Sequence, residues 1–216
     1  DQQVELTDIA RKLGQEKFAE RAEKWDRDAI FPMANYKDLH TSGFLGICIP
    51  KKFGGYGADL KSYSMAAAEI GRYCGATALT FNMHVSSCLW TGDLADDLPM
   101  NRKDRQLHNK RRKKHYERIL KKGAIYAQPF SEGGAAAAGF KPFGTTATRV
   151  DGGWLINGIK IFASLSGSAD YYGILCTEKK ENLSRRDTMY FAIPAQAEGV
   201  TVDGDWDPLG MRGTVS

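Results

Sequence analysis

The 216-residue chain has no apolar run near the roughly 20 residues that span a bilayer, and its N-terminal "DQQVELTDIA" lacks the basic-then-apolar order of a secretory signal. Neither an integral membrane helix nor a secreted protein is expected. Its four cysteines, Cys48, Cys74, Cys88 and Cys176, form no CxxC pair and have no histidine at ligand spacing. That argues against a metal site and a disulfide scaffold, and for small core thiols in a reducing compartment. The glycine-rich "KKFGGYG" lacks the Lys-Ser/Thr of a phosphate-binding loop and reads as a connector. No internal repeat is seen.

What remains is an ordinary globular balance, 42% hydrophobic and 26% charged, in a length that suits one large domain or two small ones. The net charge of +4 conceals a strong asymmetry. Residues 101–122, "NRKDRQLHNKRRKKHYERILKK", hold 11 Lys or Arg against two acids, a local +9, so the other residues carry 19 bases and 24 acids, a net of −5. Without aromatic interleaving or a recognisable reader module, this run is expected to be a solvated helix face rather than a nucleic-acid surface. Contact with the phosphates of a ligand or with an acidic subunit surface is the second possibility.

The first half carries helical spacing. Ile9, Leu13, Ala22, Trp25 and Ala29 recur between charged positions with Thr7 as a candidate N-cap, and Pro32 closes the run. Further helices are expected over about 36–42, ending at Gly43, over 62–73, over 77–90 and through the basic segment to Gly123. His84 reads as a hydrogen-bonded core residue, His108 and His115 as exposed, and Glu69 and Glu117 as solvated or capping groups. After Gly123 the period becomes two. "GTTATRV", a "DGG" turn and "WLI" form a hairpin, followed by "YYGILCTE", "DTMYFAIPA", "GVTVDG" and a last strand opening at "DPLGMRGTVS". Between them "ASLSGSA" breaks the alternation with a run of small residues.

Four segments, in order, carry a resemblance: "GFLGICIPKKFGGYG", "GAIYAQPFSEGG", "TTATRVDGGWLINGIKIFASLSGSADYY" and "PLGMRGT". Together they resemble the acyl-CoA dehydrogenase family. Its corresponding motifs are Gly-Leu-Leu-Gly with Gly-Gly-x-Gly, the loop ending Thr-Glu-Pro-Gly-Ala-Gly-Ser-Asp, Asn-Gly-x-Lys followed by Trp-Ile-Thr-Asn, and Leu-Gly-Met-Arg.

The resemblance implies an α+β chain: an all-α helical domain over 1–122, then a mostly antiparallel β-barrel or sandwich domain over 123–216. It implies FAD as cofactor, with Phe162, Ala163 and Ser164 at the family's aromatic and hydroxyl positions, and Tyr126, Ala127, Gln128 and Gly133 on the earlier flavin-contacting loop. In this register Ala127 replaces a threonine, Gln128 a glutamate, and Gly133 a serine near the thioester, with Ser131 able to serve from a shifted position. Small residues let backbone approach a planar ring closely. Ser131 and Gly133 are the candidate substrate contacts, and the helix over 77–90 the candidate lining of an acyl tunnel.

The implied activity is α,β-dehydrogenation of an acyl-CoA thioester in fatty acid metabolism. The catalytic base is expected beyond Ser216, so these 216 residues alone are expected to be silent. The implied partners are an acyl-CoA and an electron-transfer protein or flavin reductase, in a homodimer or homotetramer without nucleic acid or membrane span. The expected compartment is the cytoplasm, or the mitochondrial matrix in a eukaryote. Two alternatives stay open: a two-component reduced-flavin monooxygenase of the same fold, and a non-catalytic binding or assembly module.

Overall fold

A computed structural model describes residues 1–133, 141–181 and 184–216. Helices come first. The helix α1 (Gln2–Leu13) starts earlier than expected, because the Asp1 side chain accepts from the Gln3 amide and so caps it. Thr7 is therefore interior, its hydroxyl bonded back to the Gln3 carbonyl at 2.8 Å. A π turn over Gly14–Phe18 leads into α2 (Ala19–Arg27), and α3 (Met33–Thr41) begins directly after Pro32. Asp59 caps α4 (Leu60–Gly71), which is followed by α5 (Gly75–Thr91) and the short α6 (Asp93–Asp96). Asn101 caps α7 (Arg102–Lys122), the basic segment, and Gly123 ends it in the left-handed conformation that a side chain would disfavour.

The helices share a core of Leu6, Phe18, Tyr36, Leu39, Phe44, Ile70, Phe81 and Val85. α5 runs through it, presenting Thr77, Phe81, His84 and Cys88 at helical spacing to the interior. α7 is not a fully solvated face. Arg112, Tyr116 and Ile119 form a buried stripe, and Arg112 pairs with Asp96 at 2.7 Å, donates to the Thr91 carbonyl at 3.1 Å and lies over the Phe53 ring. Burial of this guanidinium is tolerated because its donors are used. Glu69 also departs from expectation: it is buried between Arg11 at 3.1 Å and Arg72 at 3.3 Å. Glu117 is half-exposed and pairs with Lys121 one turn on.

The sheet is built from β1 (Tyr126–Ala127), β2 (Thr146–Val150), β3 (Gly153–Asn157), β4 (Tyr171–Glu178) and β5 (Thr188–Pro194). It is mixed and, among the described residues, not closed into a barrel. β2 pairs with β3 and β4 with β5 antiparallel, while β1 and β2 both run parallel to β4. β1 occupies the start of one edge of β4, at Tyr171 and Tyr172, and β2 its end, at Thr177 and Glu178. Residues 199–204 form no strand, and the C-terminal segment holds a single 3₁₀ turn at Arg212–Thr214 instead of an opening strand. Among the described residues no helix is long and apolar enough to cross a membrane, and all four cysteines are buried and unpaired.

His84 joins the helices to the sheet. Its Nε2 donates to the Leu45 carbonyl and its Nδ1 accepts from the Tyr126 amide, both at 3.0 Å, a pattern that fixes the tautomer. Burial pushes its pKa down to about 4. His115, expected to be exposed, instead packs edge-on against Tyr126 at 4.3 Å with Nε2 buried and unpartnered among the described residues. Burial, with His84 and Arg118 nearby, pushes its pKa down to about 3.

Both rings are thus neutral in the folded state, whereas in an unfolded chain they protonate near pH 6.5. The unfolded state then binds more protons as pH falls, so this part of the stability is complete above about pH 6.5 and is lost toward about pH 4. The slope expected is about 1.4 kcal/mol per pH unit for each histidine. Urea unfolding between pH 7 and 4.5 should show it, and His115→Phe should remove about half; an unchanged slope would contradict the burial of this ring.

Candidate flavin-facing site

The site is assembled where the chain crosses from β1 toward the hairpin and then turns back at "IKIFASLSG". Phe130 is fixed from the helical side: the Trp90 ring at the end of α5 stacks on it at 4.8 Å with planes 6° apart. Next, Ser131 forms an isolated antiparallel bridge with Ile161, whose amide donates to the Ser131 carbonyl at 2.9 Å. Residues 131 and 161 are thereby held side by side although 30 positions separate them.

A buried ion pair locks this junction. The Lys160 ammonium lies 2.6 Å from Glu132 Oε1, with both side chains under a tenth exposed. The same Oε1 accepts from the Thr145 amide at 3.0 Å and Oε2 from the Gly144 amide at 2.7 Å, while Lys160 also donates to the Leu175 carbonyl at 2.7 Å and lies over the Phe143 ring. Leu175 lies on the stretch of β4 edge between its pairings with β1 and β2, so the ammonium supplies a donor where neither strand does. Gly158 permits the approach, since a Cβ there would come within 2.4 Å of Thr145 Oγ1.

Burial pushes the Glu132 carboxyl up, but Lys160 and the Thr145 and Gly144 donors outweigh it and hold the group below the usual carboxylate range. For Lys160, burial dominates and lowers the ammonium against the pull of Glu132. The two shifts differ on whether ionisation is favoured. The geometry, with three donors converging on one carboxylate, decides for the ion pair.

The loop beyond Lys160 presents an aromatic ring to solvent. Phe162 is 68% exposed and takes φ +53°, a conformation costing about 1–3 kcal/mol for a bulky residue. Leu165 is also left-handed, at φ +78°, yet fully buried, and its amide is shared between the carbonyls of Thr214 and Val215 at 3.3 and 3.0 Å. Among the described residues, the amides of Ala163 and Ser164 donate to no protein acceptor. An exposed ring beside unused main-chain donors fits the face and edge of a planar heterocycle with carbonyl and ring-nitrogen acceptors.

The structure places Ser131 and Gly133 beside Ile161, the residue that precedes Phe162, Ala163 and Ser164. Tyr126 and Ala127 lie elsewhere: both are fully buried, Tyr126 stacked on Tyr171 at 4.9 Å. Gln128 is buried too, exchanging two 3.1 Å hydrogen bonds with the Tyr190 hydroxyl. All three are buried and present no open face to a ligand. Sequence reading missed Glu132, Trp90 and Phe130. A Glu directly after Ser131, paired with the lysine of Asn157-Gly158-Ile159-Lys160, is the signal that marked one of them. The family's remaining loop residues, 134–140, lie outside the described residues. Among the described residues no cluster of three metal-ligating side chains exists.

The family model for the acyl-CoA dehydrogenase N-terminal domain matches residues 1–92, and that for the middle domain matches residues 130–216. The chain belongs to the acyl-CoA dehydrogenase family. Neither model covers 93–129, which holds the basic helix α7. An acyl-CoA dehydrogenase of Bacillus subtilis (strain 168) is 27% identical over 216 residues, covering 99% of this chain and 53% of the relative. A dibenzothiophene monooxygenase of Rhodococcus qingshengii is 27% identical over 208 residues, covering 96% and 46%. Among solved structures, FMN-bound TdsC from Paenibacillus sp. A11-2 superposes with a TM-score of 0.77 at 26% identity, covering 97% of this chain and 49% of that one. The chain spans about half the length of the curated relatives it matches.

Removing one partner of a buried pair leaves the other charge uncompensated, at about 3–5 kcal/mol. Lys160→Met should therefore destabilise the protein by about 3 kcal/mol in urea titration, and adding Glu132→Gln should recover part of the loss. A Lys160→Met protein as stable as the wild type would contradict a buried pair.

Proposed function

We propose that this chain forms the flavin-facing part of an FAD-dependent, acyl-CoA dehydrogenase-like oxidoreductase that desaturates an acyl-CoA thioester in fatty acid metabolism. The observation that carries the reading is the Ser131–Ile161 bridge directly beside the exposed, left-handed Phe162. Two stretches that resemble the family's flavin-contacting motifs are neighbours there. The family's Thr-Glu pair then corresponds to Ser131 and Glu132, four positions later than Ala127 and Gln128, so a hydroxyl and a carboxylate are both retained.

In this reading each residue acts by binding and orientation. Phe162 covers one face of the ring, and the Ala163 and Ser164 amides with the Ser164 hydroxyl donate to its edge. Ser131 and Gly133 border the space where the thioester would sit, with Tyr126, Ala127 and Gln128 as the rigid floor. Bound flavin supplies the hydride acceptor. Donors fixed before the reaction stabilise developing charge without reorganising, which is why a loop held by an ion pair and a bridge suits the role. Glu132 is committed to Lys160 and two amides and is not the base that removes the α proton. An electron-transfer protein and a homo-oligomeric state belong to the same proposal.

The similarity to the dibenzothiophene monooxygenase and to FMN-bound TdsC favours one second reading, a monooxygenase that borrows reduced flavin to activate oxygen. One titration separates the two. If the dehydrogenase reading holds, full-length protein binds FAD tightly, acyl-CoA bleaches the visible flavin band without oxygen, and Phe162→Ala weakens FAD binding about tenfold, an aromatic contact of about 1.4 kcal/mol. No bleaching by any acyl-CoA, with oxygen consumed when reduced flavin is supplied, would overturn it in favour of the monooxygenase.

A further inference from the structure

Phe162 is exposed and strained, so something must hold the loop that carries it. The segment after β5 does so. Trp206 packs edge-on against the Phe162 ring, centroids 6.3 Å apart and planes at 89°. Its indole Nε1–H donates to the Thr214 hydroxyl at 3.0 Å, and Thr214 is buried. The Thr214 carbonyl, with that of Val215, accepts the Leu165 amide, so the chain of contacts returns to the loop three residues beyond Phe162.

The clasp is anchored at its far end as well. The Arg212 amide donates to Asp26 Oδ1 at 3.2 Å in the last turn of α2, and Met211 lies against the first residue of α5. Met211 and Val215, like Phe162 and Leu165, have positive φ. Among the described residues, four of the five with positive φ other than glycine therefore sit in two segments that are hydrogen-bonded to each other. Strain of this kind persists only where the surroundings over-determine it.

From this geometry we infer that Trp206 is a positioning residue for the flavin ring: through Thr214 it holds residues 162–165 in the strained shape, and by its edge it sets the angle of Phe162. The inference rests on the flavin reading above but acts through a contact that can be measured without flavin. Trp206→Phe keeps an aromatic ring and removes the indole donor, and Thr214→Val removes the hydroxyl acceptor at nearly constant volume.

In full-length protein, Trp206→Phe should speed hydrogen exchange at the Leu165 amide at least tenfold and weaken FAD binding three- to tenfold, with the overall melting transition retained. Thr214→Val should do the same, the double variant should be no worse than either, and in a Phe162→Ala background Trp206→Phe should no longer change the affinity. Unaltered exchange at Leu165 overturns the clasp. Faster exchange with unchanged affinity, or additive losses, overturns positioning. If the wild type binds no flavin, the flavin reading itself fails and the positioning role with it, whereas an intact wild-type affinity leaves failure in the variants to count against Trp206 alone.

Discussion

The buried ion pair between Glu132 and Lys160 is the constraint on which the site depends. It ties together three segments that have no strand pairing to spare: the loop leaving β1, the start of the hairpin at Gly144 and Thr145, and the edge of β4 at Leu175. Water cannot replace it cheaply, because both side chains are almost fully enclosed. A pair so placed contributes little to net stability compared with apolar packing. Its value lies in geometry, since one carboxylate with three donors restricts the arrangement of the backbone groups around it. The sheet can afford an irregular centre because Lys160 satisfies a carbonyl that a strand would otherwise have to meet.

Order and strain are distributed accordingly. The helical half is closely packed around α5, and His84 carries that rigidity to β1 through hydrogen bonds at both ring nitrogens. Trp90 carries it to Phe130, one residue before the bridge. On the other side the C-terminal segment braces the loop from Phe162 to Leu165. The strained backbone thus lies between two supports, as expected where a ring must be presented with little freedom to move.

Much of this was legible in the sequence. Helical spacing, caps and the period change after Gly123 located most helices and four of the five strands, because burial repeats at 3.6 and at 2 leave marks in a single chain. Thr7 was misread as a cap because Asp1, the better one, stands at the very first position. "GVTVDG" alternates as a strand does, yet among the described residues no strand pairs with it, and alternation alone cannot supply a partner. The buried roles of Arg112, His115 and Glu69 were invisible for a related reason: their counterparts, Asp96, Tyr126 and Arg11, are set by tertiary packing. The site was legible as two motifs, but the bridge from Ser131 to Ile161 that joins them is a tertiary contact with no mark in the sequence.

The claim that these two motifs form one ring-binding surface is tested most directly by amide hydrogen exchange on full-length protein with and without FAD. The account predicts that flavin protects two segments far apart in sequence, 130–133 and 161–165, together and to a similar degree, while β5 and α7 are unaffected. Protection confined to one of the two segments, or appearing only elsewhere, would contradict it.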